Sequence, residues 1–175
     1  MRKSTTLHLV LAAMFTALGV LLPMALHSVP NAGMVFLPMH IPVLLCGFII
    51  GWKYGALVGF IVPLISASIT GMPPIWPVGV SMALELAAYG FFAGILYEKF
   101  NGYISLIGAM LAGRIVMGIA NVILLGIAGN TYTFSGFISG AFVTAFPGII
   151  IQLILIPLIL IALEKTDVMK KIKAH

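Results

Sequence analysis

The sequence predicts an all-α membrane protein of six transmembrane helices with both termini in the cytoplasm, and three observations carry that prediction. Of the 175 residues, 62% are hydrophobic and only 7% are charged, and a mean hydropathy of +1.21 leaves no composition for a soluble surface. Six apolar segments, most of them long enough for a hydrocarbon core of about 30 Å, are separated by polar, Gly or Pro punctuation. When the chain is threaded through these segments, eight of its nine Lys and Arg residues fall on one side, as the positive-inside rule requires. The ninth, Arg114, lies inside an apolar segment.

The first segment, residues 7–26, follows the basic start Arg2-Lys3 and is as long as a full span. No convincing cleavage site follows it, so it reads as a retained helix and not as a signal peptide. The second, 36–51, is shorter and carries Pro38 and Pro42 near its start, which predicts a tilted helix or one that begins partway into the membrane. A tight turn containing Lys53 leads to the third segment, 54–70, and the fourth covers 78–96. Lys99 lies in the next connection, before the fifth segment at 103–128. The sixth, 135–163, precedes a tail with Lys165, Lys170, Lys171 and Lys173. The connections 27–35, 71–77 and 129–134 contain no Lys or Arg. Trp52, Tyr54, Tyr97 and Tyr103 accordingly fall at the inner interface, where amphipathic rings settle. The whole chain, 1–175, reads as one six-helix domain.

Small residues recur four apart at Ala13/Ala17, Gly47/Gly51, Gly55/Gly59, Gly90/Gly94 and Gly136/Gly140. In lipid, helices attract each other through packing, and such pairs let backbones approach closely.

Several classes are excluded. Cys46 is the single cysteine, so an intrachain disulfide and a multi-cysteine metal site are ruled out, and the residue reads as packing. The net charge of +5 comes from residues at helix ends that orient the chain in a bilayer and can touch anionic headgroups, so it does not point to nucleic acid. Walker motifs, nucleophile elbows, His-Glu-x-x-His runs and paired carboxylates are absent from the sequence. Its acids are Glu85, Glu98, Glu164 and Asp167. Neither catalysis nor a cofactor is expected, and no metal, because no His, Cys or carboxylate cluster accompanies the histidines.

Arg114 therefore carries the chemistry. A charge at the bilayer centre costs roughly 2.5 to 3.5 kcal/mol on insertion scales and marks a functional candidate. At 1.5 Å per residue, Glu85 lies about 12 Å and Arg114 about 13 Å below the outer boundary. Adjacent antiparallel spans at matching depth place the two in reach of each other. Arg114, Met117, Gly118 and Asn121 share one face of the fifth helix, and Ser81, Glu85 and Tyr89 share one face of the fourth. With Thr144 on the sixth span at similar depth, they outline a cavity open to the outer side. Gln152 lies deeper. Two readings stand: Arg114 and Glu85 neutralise each other and pin two helices, or Arg114 offers its guanidinium fork to a substrate carboxylate.

The outer loops add candidates. The second is stiffened by Pro73, Pro74 and Pro77 and holds Trp76, which suits a lid. His27 and Asn31 in the first loop, and His40 at the outer start of the second span, can supply polar contacts, although a lone histidine there is more often a capping or interfacial residue than a ligand. Six spans with an outer cavity and no means of hydrolysing ATP suggest a binding subunit that needs a partner to move. A stand-alone facilitator is an alternative. A small intramembrane enzyme or assembly factor, with Glu85 and His40 as acid and base, ranks lower because their expected depths differ.

Four stretches carry a resemblance. Leu9-Val10-Leu11-Ala12-Ala13-Met14-Phe15-Thr16-Ala17-Leu18-Gly19, Leu37-Pro38-Met39-His40-Ile41-Pro42-Val43-Leu44-Leu45-Cys46-Gly47-Phe48, and Gly71-Met72-Pro73-Pro74 with Glu85-Leu86-Ala87-Ala88-Tyr89-Gly90 resemble the substrate-specific S components of energy-coupling factor (ECF) vitamin transporters, most of all the pantothenate-associated members. The resemblance implies a multi-pass protein of the bacterial cell membrane that captures a vitamin from outside. It further implies docking on a transmembrane coupling protein with two ATP-binding-cassette ATPases. Ala13 and Ala17 match the Ala-x-x-x-Ala docking pattern of such proteins. Pantothenate, with its carboxylate, hydroxyls and amide, suits Arg114 flanked by Asn121, Ser81 and Thr144.

Overall fold

The computed structural model describes residues 2–26, 28–166 and 172, with side chains from residue 5 onward. Among these residues every regular element is helical: α1 (Arg2–Ala25), α2 (Ala32–Phe36), α3 (His40–Ile50), α4 (Trp52–Thr70), α5 (Val80–Tyr97), α6 (Gly102–Ile127), α7 (Phe134–Ile138) and α8 (Phe146–Lys165). Six stretches are long and apolar enough to cross a membrane: Thr5–Ala25, Ala32–Ile50, Trp52–Thr70, Ile75–Tyr97, Gly102–Ile127 and Phe146–Lys165. The side chains of Arg2 and Lys3, all of His27, and Asp167, Lys170, Lys171 and Lys173 lie outside the described residues.

Helix α5 is the centre of the bundle, packed against α3, α4 and α6. Its contact with α4 is backbone on backbone. Gly55 and Gly59 of α4 face Gly90 and Leu86 of α5, and a methyl group on Gly90 would overlap the Gly55 carbonyl. Close approach of this kind supplies the van der Waals contact that lipid, itself apolar, does not. Gly47 of α3 meets the same carbonyl row at Gly90, and Gly94 meets the backbone at Trp52. The pair Gly136/Gly140 does not work this way, for Gly140 has open space around it.

Two spans depart from the expected boundaries. The second is broken: α2 ends at Leu37, whose φ of 51° is left-handed, and α3 restarts at His40 after Pro38. Proline cannot donate to a preceding turn, and the chain bends where the donor is missing. The sixth span is shorter than expected. A single helix over 135–163 would run about 43 Å, well beyond a core of about 30 Å. Instead α7 and a wide π-helical turn at Ser139–Thr144 precede α8, which carries Pro147 within its first turn. Thr144 thus sits before the sixth span and not within it.

At one end the bundle is tied by polar contacts near its basic residues. The Tyr97 hydroxyl donates to Glu164 Oε1 at 2.5 Å, His8 lies edge-on to Tyr54, and Lys53 rests over the Trp52 ring. Asn101 caps α6 by accepting from the Ile104 N–H at 3.0 Å. Cys46 is fully buried among apolar neighbours.

Candidate functional site

The site forms where three helices meet midway along the bundle. Glu85 on α5, Arg114 on α6 and His40 at the first residue of α3 are 4%, 5% and 1% exposed. Arg114 Nη1 donates to Glu85 Oε1 at 2.7 Å, the short distance of a charge-assisted bond. His40 Nε2 lies 3.4 Å from the same oxygen. The α5–α6 contact follows the expectation from matching depth. The arrival of His40 corrects two expectations: it is neither interfacial nor at a different depth from Glu85. The reason is the broken second span, since α2 and buried Leu37 and Met39 precede His40 and carry it into the protein.

Tyr89, one turn along α5 from Glu85, closes the cluster. Its ring stands edge-on to His40 with centroids 4.9 Å apart, and the Arg114 guanidinium lies 6.0 Å from its centre. Gly113 makes room for that ring, because a Cβ there would overlap it. Several polar atoms in this core have no hydrogen-bond partner among the described residues: Arg114 Nε and Nη2, His40 Nδ1 and the Tyr89 hydroxyl. Buried donors left this way are costly, and their usual explanation is a ligand, a water or a working role. Arg114 thus holds Glu85 with one nitrogen and keeps the Nε/Nη2 edge, the bidentate edge for a carboxylate, uncommitted.

Toward the C-terminal end of α6 the surroundings are polar. Ser81 Oγ donates to Asn121 Oδ1 at 2.6 Å, bridging α5 and α6 two turns from Arg114. Toward the N-terminal end they are apolar. A cavity of about 140 Å³ is lined there by Tyr89, Met110, Arg114, Phe142, Ile149 and Leu153, with half-exposed Ile107 and Leu111 at its side. Gln152, expected to lie deeper, is fully buried on α8 with neither side-chain polar atom partnered among the described residues.

A six-span bundle with an ion pair at its centre invites comparison with transport proteins, and a sequence model of the family described as "ECF transporter, substrate-specific component" matches residues 7–160. The chain belongs to that family. No curated protein and no solved structure matches it. As an S component it is the substrate-specific subunit of a membrane transporter, and its family is not one of enzymes.

The remaining expected residues of this S component are more scattered. Trp76 is half exposed, on an extended stretch of the wide turn Ile75–Gly79. The loop before it is tied down, with Ser66 and Thr70 both donating to the Met72 carbonyl at 3.0 Å. Asn31 is exposed at the start of α2, its side chain making no capping bond. Thr144 is half-buried in the π-helical turn and hydrogen-bonds to none of the cluster. The structure therefore brings together Arg114, Glu85 and His40, and separately Ser81 with Asn121, and leaves Trp76, Asn31 and Thr144 outside. Ala13 and Ala17 both face outward on α1, whose other face buries Ala12 and Phe15.

Proposed function

We propose that this S component captures a small vitamin or vitamin precursor bearing a carboxylate, with pantothenate the first candidate. Capture occurs on the outer side of a bacterial cell membrane, with both termini of the chain in the cytoplasm. The observation that carries the proposal is the state of Arg114. Its guanidinium is almost wholly buried, one nitrogen is held by Glu85, and the Nε/Nη2 edge has no partner. Glu85 fixes the fork in place, and the fork receives the carboxylate in two parallel hydrogen bonds. Ser81 and Asn121, two turns nearer the outer face, serve the ligand's hydroxyl or amide groups. Trp76 and Asn31 on the outer loops, with Thr144, become contacts when those loops close over the ligand.

Uptake then requires a coupling protein and two ATP-binding-cassette ATPases, since the sequence has no nucleotide motif of its own. Exposed Ala13 and Ala17 present a flat strip on α1 for that docking. The test is ligand binding by purified Arg114→Lys and Arg114→Ala proteins, with folding checked by thermal unfolding. Lysine keeps the charge without the fork, so the account predicts at least about a tenfold loss with Lys and a greater one with Ala. Unchanged affinity in folded protein removes Arg114 from the ligand.

A further inference from the structure

We propose that His40 is the residue that takes up a proton when an anionic ligand reaches Arg114, so that the site admits a carboxylate together with one proton. The inference rests on the anion-binding role given to Arg114 above and adds to it a second participant and a charge rule.

Charge must balance among groups as deeply buried as Glu85, Arg114 and His40. Arg114 and Glu85 are joined at 2.7 Å and cancel. His40, donating from Nε2 to Glu85 Oε1 at 3.4 Å, leaves the group neutral as long as its other nitrogen is unprotonated. A monoanion placed on the Nε/Nη2 edge of Arg114 then brings the buried group to a net charge of −1. An uncompensated charge at that depth is strongly disfavoured, and the usual relief is a shift in protonation. Two residues can supply it, Glu85 and His40. Protonating Glu85 would weaken the bond that fixes the guanidinium. Protonating His40 keeps that bond and strengthens its own contact with Glu85.

The geometry provides the place for the proton. Nδ1 of His40 is fully buried and without a partner. With Nε2–H directed to Glu85, Nδ1 carries the ring's lone pair, and once protonated it becomes a donor. Histidine is suited to the task because its ordinary titration range spans neutral pH.

The groups around His40 are few among the described residues. Glu85 and Tyr89 face it from α5, and Arg114 stands on α6 beyond them. The titratable and charged residues of the other helices packed on α3 lie at its far end. There Tyr97 meets Phe48 and Glu164, and His8 meets Tyr54 next to Lys53. Lys165 follows Glu164.

The experiment is calorimetric titration of the full-length purified protein with pantothenate, and with acetate as the smallest carboxylate, in buffers of different ionisation enthalpy between pH 5 and 8. At the alkaline end, uptake of about one proton per carboxylate is expected, and affinity weakens by about tenfold per pH unit as pH rises. His40→Gln keeps a donor for Glu85 and cannot accept the proton, so both effects vanish. Binding without proton uptake overturns the proposal, and so does uptake that survives in His40→Gln, which assigns the proton to Glu85. If neither acid binds at any concentration, the anion role of Arg114 fails and the inference falls with it. Should His40→Gln not fold, nitrogen-15 spectra of a protein with His8, His27 and His175 changed to Gln report the ring directly. Nδ1 must pass from unprotonated to protonated on ligand addition, and an unchanged signal is a refutation.

Discussion

Helix α5 makes two mid-bundle contacts that follow opposite designs. Against α4 it presents Gly90 and the Leu86 carbonyl to Gly55 and Gly59, and the backbones meet with almost no side chain between them. Against α6 it presents Glu85 to Arg114, two long charged side chains held at 2.7 Å with three guanidinium and imidazole nitrogens left unpartnered. The first contact uses all of its surface and leaves nothing for chemistry. The second pays in buried, unmatched polarity, and a seam meant only to hold helices gains nothing from that. On the proposed function, that difference separates scaffold from site within one helix.

Substitutions that invade each contact sharpen the contrast. Gly90→Leu is expected to have the largest effect, because the side chain has only the α4 backbone to enter. Overpacking costs about 1–3 kcal/mol where neighbours can shift and more where they are backbone, so the protein should lose its sharp melting transition and its single peak in size-exclusion chromatography. Ala13→Trp with Ala17→Trp provides the opposite case, small residues four apart on an exposed face. Here thermal stability and ligand affinity should be unchanged while vitamin uptake in cells with the coupling subunits falls to background. Uptake at wild-type rate would return that pair to ordinary surface. The smallest effect belongs to the Ser81–Asn121 bond. A double-mutant cycle with Ser81→Ala and Asn121→Ala should give a coupling of about 0.6 kcal/mol in melting experiments, the usual size of a hydrogen bond between helices in a membrane, and a larger value once ligand is bound.

Much of this was legible in the sequence because membrane helices obey simple length and charge rules. Counting 1.5 Å per residue placed Glu85 beside Arg114, and their spans are consecutive, so topology had one choice to make. His40 escaped that method. It comes from a helix that is not sequence-adjacent to α5, and its depth is set by the break at Leu37–Pro38, which Pro38 signals without giving the depth at which the helix restarts. Thr144 was misplaced for a related reason: an apolar run reads as one span even where Pro147 restarts the helix. The exposure of Trp76 and Asn31 depends on loop conformation, which turn-forming residues permit without specifying.

On the proposed function, Arg114 and Glu85 form a ligand site and not merely a fastening between α5 and α6. The most direct measurement is ligand affinity in the double variant Glu85→Gln/Arg114→Gln, purified and shown by its melting temperature to be folded. Replacing both partners by neutral amides removes the charges together and leaves no lone buried ion. The account predicts a folded protein in which binding of the carboxylate ligand is lost. Wild-type affinity in that protein would contradict it and leave the ion pair as a pin between two helices.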